Sequence, residues 1–144
     1  MRFLFFIMCL FSAAAFAQVE IENAGSRATP PGAQGAAGYL TLRTKSAAAD
    51  RLVGASSPAA ARVETHVNEK QGEVVRMREV KGYDVPAKGS FELKPGGAHL
   101  MLVDVRRPFK EGDRIALVLH FQNAGEIKTE LEVKGLGALK GHAH

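Results

Sequence analysis

The sequence predicts a single all-β domain, a β-sandwich or small barrel, and three observations carry that prediction. Apolar and polar residues alternate with period two from end to end, runs of helical period are lacking, and turn residues interrupt the pattern at near-regular spacing. In Glu126–Lys134, Ile127, Thr129, Leu131 and Val133 alternate with charged neighbours, and Ile115, Leu117, Leu119 and Phe121 define one face of the strand before it. Further strands are predicted at Gln18–Glu22, Ala36–Arg43, Leu52–Ala55, Arg62–Asn68, Glu73–Val80, Ser90–Leu93 and Ala98–Val105. The breaks fall at Pro30-Pro31-Gly32, Gln71-Gly72, Pro95-Gly96-Gly97, Glu111-Gly112-Asp113 and Asn123-Ala124-Gly125, whose residues favour fixed or positive φ. Ala47–Ala49 and Pro58–Ala61 are long enough for a helical turn and too short to pack as helices.

The domain is flanked by two segments of different character. Met1-Arg2 is a short positive start, Phe3–Phe11 is an apolar run, and Ala15-Phe16-Ala17 is a small-x-small ending. That is a signal peptide over residues 1–17 with cleavage expected after Ala17, and its apolar run falls short of the roughly 20 residues a spanning helix needs. A lipid-anchor reading at Cys9 is weaker, because Phe6-Ile7-Met8 lacks the small residues it requires. The domain then covers 18–134, and 135–144 is a Gly-rich flexible tail ending in His142-Ala143-His144. The expected location is the periplasm, with no stable membrane insertion.

Cleavage changes the inventory. Cys9 is the only cysteine and leaves with the signal, as do Met1 and Met8, so the mature chain keeps Met77 and Met101 alone. The formal charge of +4 includes Arg2 and falls to +3. Its cations are scattered among acids and there is no Trp, which argues against a nucleic-acid surface. No cysteine nucleophile or Ser/His/Asp arrangement stands out, and the carboxylates alternate along solvent faces, so no enzyme activity is expected.

Four side chains stand apart. His99 and Met101 are two apart in one strand, so the pleat sends both to one face while Leu100 and Leu102 point to the core. His66 and Met77 lie in consecutive strands; a turn centred on Gln71-Gly72 would set them directly opposite, though it would also oppose Glu64 and Glu79. A lone Met in such a fold is ordinarily core filler, yet both mature methionines fall beside histidines at strand-compatible spacing. Uncharged thioether sulfur with imidazole favours Cu(I) over zinc, magnesium or calcium, and a blue-copper site would need a thiolate that the mature chain lacks. His120 falls on the outward side of its strand and reads as a surface residue. His142 and His144 offer nitrogen donors of the kind Cu(II) prefers, while the plainer reading is a chain end whose composition carries no function.

The spacing of His66, Met77, His99 and Met101 resembles the motif of the periplasmic copper chaperones called PCu(A)C. The resemblance extends to Arg27–Gly32, Ala37–Leu42, Asp50–Ala55, Leu93–Gly97 and Phe109–Asp113, and covers the mature chain to about Val133. It implies a cupredoxin-like, Greek-key type β-sandwich with Cu(I) on two His and two Met. It also implies delivery of copper towards the CuA-bearing subunit of cytochrome c oxidase, sometimes alongside a Sco-type thiol protein. This chain departs from the family pattern at Val67, where a Met is common, at Ala98, where an aromatic is common, and near Gly25, where a Trp is common. A copper buffer without a dedicated acceptor, or a metal-free envelope binding module, are the alternatives to weigh.

Overall fold

The structure, a computed structural model, describes residues 18–135; the signal segment, its cleavage position, and His142 and His144 lie outside the described residues. Ten strands follow in chain order: β1 (Val19–Arg27), β2 (Gly35–Thr44), β3 (Asp50–Ser56), β4 (Ala60–Gln71), β5 (Val74–Glu79), β6 (Tyr83–Val85), β7 (Ser90–Leu93), β8 (His99–Val105), β9 (Arg114–Phe121) and β10 (Gly125–Lys134). No helix occurs among the described residues, and Pro58-Ala59 makes a turn between β3 and β4 where a helical turn was allowed for.

The all-β class is as expected. Hydrogen bonding runs β4-β8-β2-β1-β10-β9-β3, and a β3–β4 pairing at Ala55 and Val63 closes these seven strands into a barrel-like ring. β5 extends the sheet beyond β4, β6 beyond β3, and β7 pairs with β2. Among the described residues the one parallel pairing joins the ends of β1 and β10, with Gly25, Ser26 and Arg27 beside Glu132, Val133 and Lys134.

Period two explains which side chains fill the ring. Ala36, Leu40 and Leu42 of β2, Leu100 and Leu102 of β8, and Ile115, Leu117, Leu119 and Phe121 of β9 are buried in one core. β10 follows its pattern only in part: Leu131 and Val133 are buried, whereas Ile127 and Thr129 are half-exposed. The cause is pairing, since β1 covers only the last residues of β10 and its first half has β9 as its ladder partner. Between β8 and β9, Phe109 plugs the core; its amide donates to Thr29 Oγ1 and its carbonyl accepts from the Thr29 amide.

β6 escaped the sequence reading because three residues are too few to show a period. Tyr83 and Val85 are nonetheless buried, and β6 pairs with β3 through Asp50–Leu52. Asp50 is itself buried, and its carboxylate accepts from the amides of Arg51, Asn123 and Ala124. The carboxylate therefore ties the start of β3 to the turn between β9 and β10.

Candidate metal centre

β4 and β8 run antiparallel with His66 directly opposite His99 and Glu64 directly opposite Met101. Directly opposed residues share a face and residues two apart share it too, so all four side chains rise from the same patch, outside the core face occupied by Leu100 and Leu102. The imidazole centroids are 5.6 Å apart with the rings tilted by 38°. Metal–imidazole bonds are about 2.0–2.1 Å for zinc and of that order for other first-row ions. The two rings are thus spaced to flank one ion.

Met77 sits elsewhere than expected. The β4–β5 hairpin turns at Gly72-Glu73, with Gly72 supplying φ of 63°, and pairs Gln71 with Val74. In this register Met77 opposes Asn68 and Glu79 opposes His66. The pairing of His66 with Met77 inferred from a Gln71-Gly72 turn is therefore corrected by two residues. A slip of two keeps the face, because the side-chain period is two, so Met77 remains on the patch as a diagonal neighbour of His66. The same slip removes the unfavourable opposition of Glu64 and Glu79.

Exposure grades across the site. His99 is buried at 5% and Met101 is half-buried, whereas Met77 is 58% exposed on the outer strand. Met101 lies against β2, where its directly opposed residue is Ala37. A Cβ added at Gly35 would come within 3.4 Å of Met101 Sδ. Small residues on β2 thus leave room for the thioether.

Backbone and side-chain bonds fix both rings. His99 Nδ1 lies 3.1 Å from the carbonyl oxygen of Gly97, and His66 Nε2 lies 2.8 Å from Glu64 Oε2. Glu64 Oε1 accepts from Arg62 Nε at 2.7 Å. Hydrogen bonds from Arg62 and then His66 hold the Glu64 carboxyl below the usual range. His66 Nδ1 is buried and has no hydrogen-bond partner. Beneath the pair, the Tyr83 hydroxyl reaches the carbonyls of His66 at 2.6 Å and His99 at 2.8 Å. Burial pushes that phenol up to about 12, so it keeps its proton.

Sequence reasoning missed the parts played by Glu64 and Tyr83. Glu64 was legible in principle, being two residues before His66 on the same strand face. Among the described residues no group of three or more His, Cys, Asp or Glu is placed to hold a metal ion. What this face offers an ion is two imidazoles with thioether sulfur, a soft set that fits monovalent copper. His120 lies on β9, away from the patch, beside Ser56 and Glu126, in agreement with its surface reading.

Residues 19–133 match the family described as "Putative lipoprotein LpqE-like". The chain belongs to the LpqE-like family. The LpqE-like chain is 32% identical over 84 residues to "Putative lipoprotein Lxx21020" of Leifsonia xyli subsp. xyli (strain CTCB07), which covers 58% of this chain and 51% of the relative. The chain spans about half the length of the curated relative it matches. Its fold is that of the copper-bound PCuAC domain from PmoF2, with a TM-score of 0.71 at 24% identity over 85% of this chain and 97% of that one. It is also similar to the Cu(I) form of DR1885 from Deinococcus radiodurans, with a TM-score of 0.63 at 28% identity over 86% and 81% of the two chains.

Proposed function

We propose that this LpqE-like chain is an exported copper metallochaperone of the cell envelope. Its cargo is Cu(I), held by His66, Met77, His99 and Met101 on a cupredoxin-like, Greek-key sandwich. The observation that carries the reading is the direct opposition of His66 and His99 with Met101 and Met77 on the same face. The donor chemistry supports it: thioether and neutral imidazole add no charge to a monovalent ion, which favours firm but releasable binding. The copper-bound PCuAC domain and Cu(I)-DR1885 among its structural relatives support the same cargo. The lipoprotein description of its family and relative supports export, with cleavage after Ala17 giving a soluble periplasmic form.

The exposure gradient gives delivery a direction. Met77 stands on an outer strand with Val74 and Val75 also exposed, whereas His99 lies deep. An acceptor's ligands displace Met77 first and His99 last. The CuA-bearing subunit of cytochrome c oxidase is the acceptor that the PCu(A)C resemblance implies, with a Sco-type thiol protein alongside, and the chain itself binds rather than catalyses.

An anaerobic Cu(I) competition titration of the wild type and the four single alanine variants tests the reading. One ion per chain is expected, with His99→Ala and Met101→Ala weakened at least tenfold. Unchanged affinity in both variants would refute it.

A further inference from the structure

Period two on β4 stacks Arg62, Glu64 and His66 along one face, and the contacts form a chain. Arg62 Nε donates to Glu64 Oε1, and Glu64 Oε2 faces His66 Nε2 at 2.8 Å. Both carboxylate oxygens are thereby engaged from within the strand. An ionised carboxylate accepts only, so the nitrogen that faces it must carry the proton, and a neutral imidazole has just one N–H. That leaves His66 Nδ1 with an unshared pair, and this is the atom that is buried without a partner. His99 is arranged the other way round. The Gly97 carbonyl accepts only, so His99 Nδ1 carries its proton and Nε2 holds the free pair.

We infer that Glu64, backed by Arg62, is a positioning residue that fixes His66 with its proton on Nε2, so that copper is taken by Nδ1 of His66 and Nε2 of His99. The two histidines present unlike edges to one ion, across rings 5.6 Å apart. Glu64 stands directly opposite Met101 and so lies within the patch, but its oxygens serve Arg62 and His66 rather than the ion. The inference rests on the copper reading above for its metal half, and on hydrogen bonding alone for its tautomer half. Carboxylates that orient a ligating histidine commonly contribute 10–100-fold in metal affinity.

Long-range proton–nitrogen correlation spectra of the ¹⁵N-labelled chain, without metal and with the imidazoles neutral, read both tautomers directly. His66 is expected with its proton on Nε2 and His99 with its proton on Nδ1. In Glu64→Ala the His66 signals should move to a tautomer mixture, and Cu(I) affinity should fall about 10–100-fold. In Glu64→Gln the amide oxygen stays with the Arg62 N–H and the amide NH2 faces His66, which can then only accept at Nε2. The His66 proton should therefore move to Nδ1 and Cu(I) affinity should fall while Tm of the metal-free chain holds, which separates positioning from misfolding. A wild-type His66 protonated on Nδ1 would overturn the inference even if copper binds normally. So would an Glu64→Ala variant with unchanged tautomer and unchanged affinity. The expected tautomers in a chain that takes up no Cu(I) would instead overturn the copper reading, and with it the metal half of the inference.

Discussion

Tyr83→Phe isolates the clamp beneath the two histidines. The hydroxyl sits at the last registered pair of the β4–β8 ladder and bonds the carbonyls of both His66 and His99, from a ring that is 3% exposed. The ring also stacks on Phe91 with centroids 5.0 Å apart. Phenylalanine keeps the stack and the volume, so only the hydroxyl is lost. A typical net hydrogen bond is worth about 0.5–1.5 kcal/mol, and leaving a buried acceptor unmet raises the cost to about 1–3 kcal/mol. One proton shared by two carbonyls places the expected loss at about 2 kcal/mol. For a chain of this length, at roughly 4 °C per kcal/mol, that lowers Tm by about 8 °C. Urea denaturation of the metal-free chain gives the free energy, and Cu(I) titration of the same variant should show a several-fold weaker site as the histidine backbones separate. An unchanged Tm with unchanged copper affinity would show that the hydroxyl does not hold the pair together.

Three further changes probe the frame around the site. Asp50→Ala strips the acceptor from the amides of Arg51, Asn123 and Ala124 and should cost about 3 kcal/mol by denaturation, since hydrogen bonds to charged groups are worth about 1.5–3 kcal/mol each. Gly82→Ala places a Cβ 2.1 Å from the Leu52 carbonyl oxygen at φ of 149°. It should cost about 3 kcal/mol, at the upper end of ordinary substitutions, and melting curves would show it. Met77→Leu preserves the exposed apolar surface and removes the sulfur. It should weaken Cu(I) by about tenfold while leaving Tm of the metal-free chain within about 1 °C, as surface substitutions usually do.

Most of the frame was legible because period two is a local signal. The faces of β2, β8 and β9 follow from alternation alone, and so does the placement of His99 and Met101 on one side of β8. Contacts that join distant stretches were not legible. Nothing local says that β4 pairs with β8, so the opposition of His66 and His99 could not be read from their positions in the chain. The place of Met77 depended on which two residues make the hairpin turn, and a Gly72-Glu73 turn moves the partner of His66 by two. The face survived that error because two is the repeat of the strand. β10 kept its period but not its burial, since half of it lacks a β1 neighbour. Tyr83 was invisible because a three-residue strand carries no pattern, and its role is made by backbone carbonyls that sequence does not mark.

The central claim is one copper ion shared by two imidazoles and two thioethers on this face. X-ray absorption of the Cu(I)-loaded chain measures that directly. The first shell should fit a mixture of nitrogen and sulfur scatterers, with one sulfur lost in Met101→Ala and one of the two imidazoles lost in His99→Ala. A shell of nitrogen and oxygen alone, or one indifferent to both substitutions, would place the ion elsewhere and contradict the account.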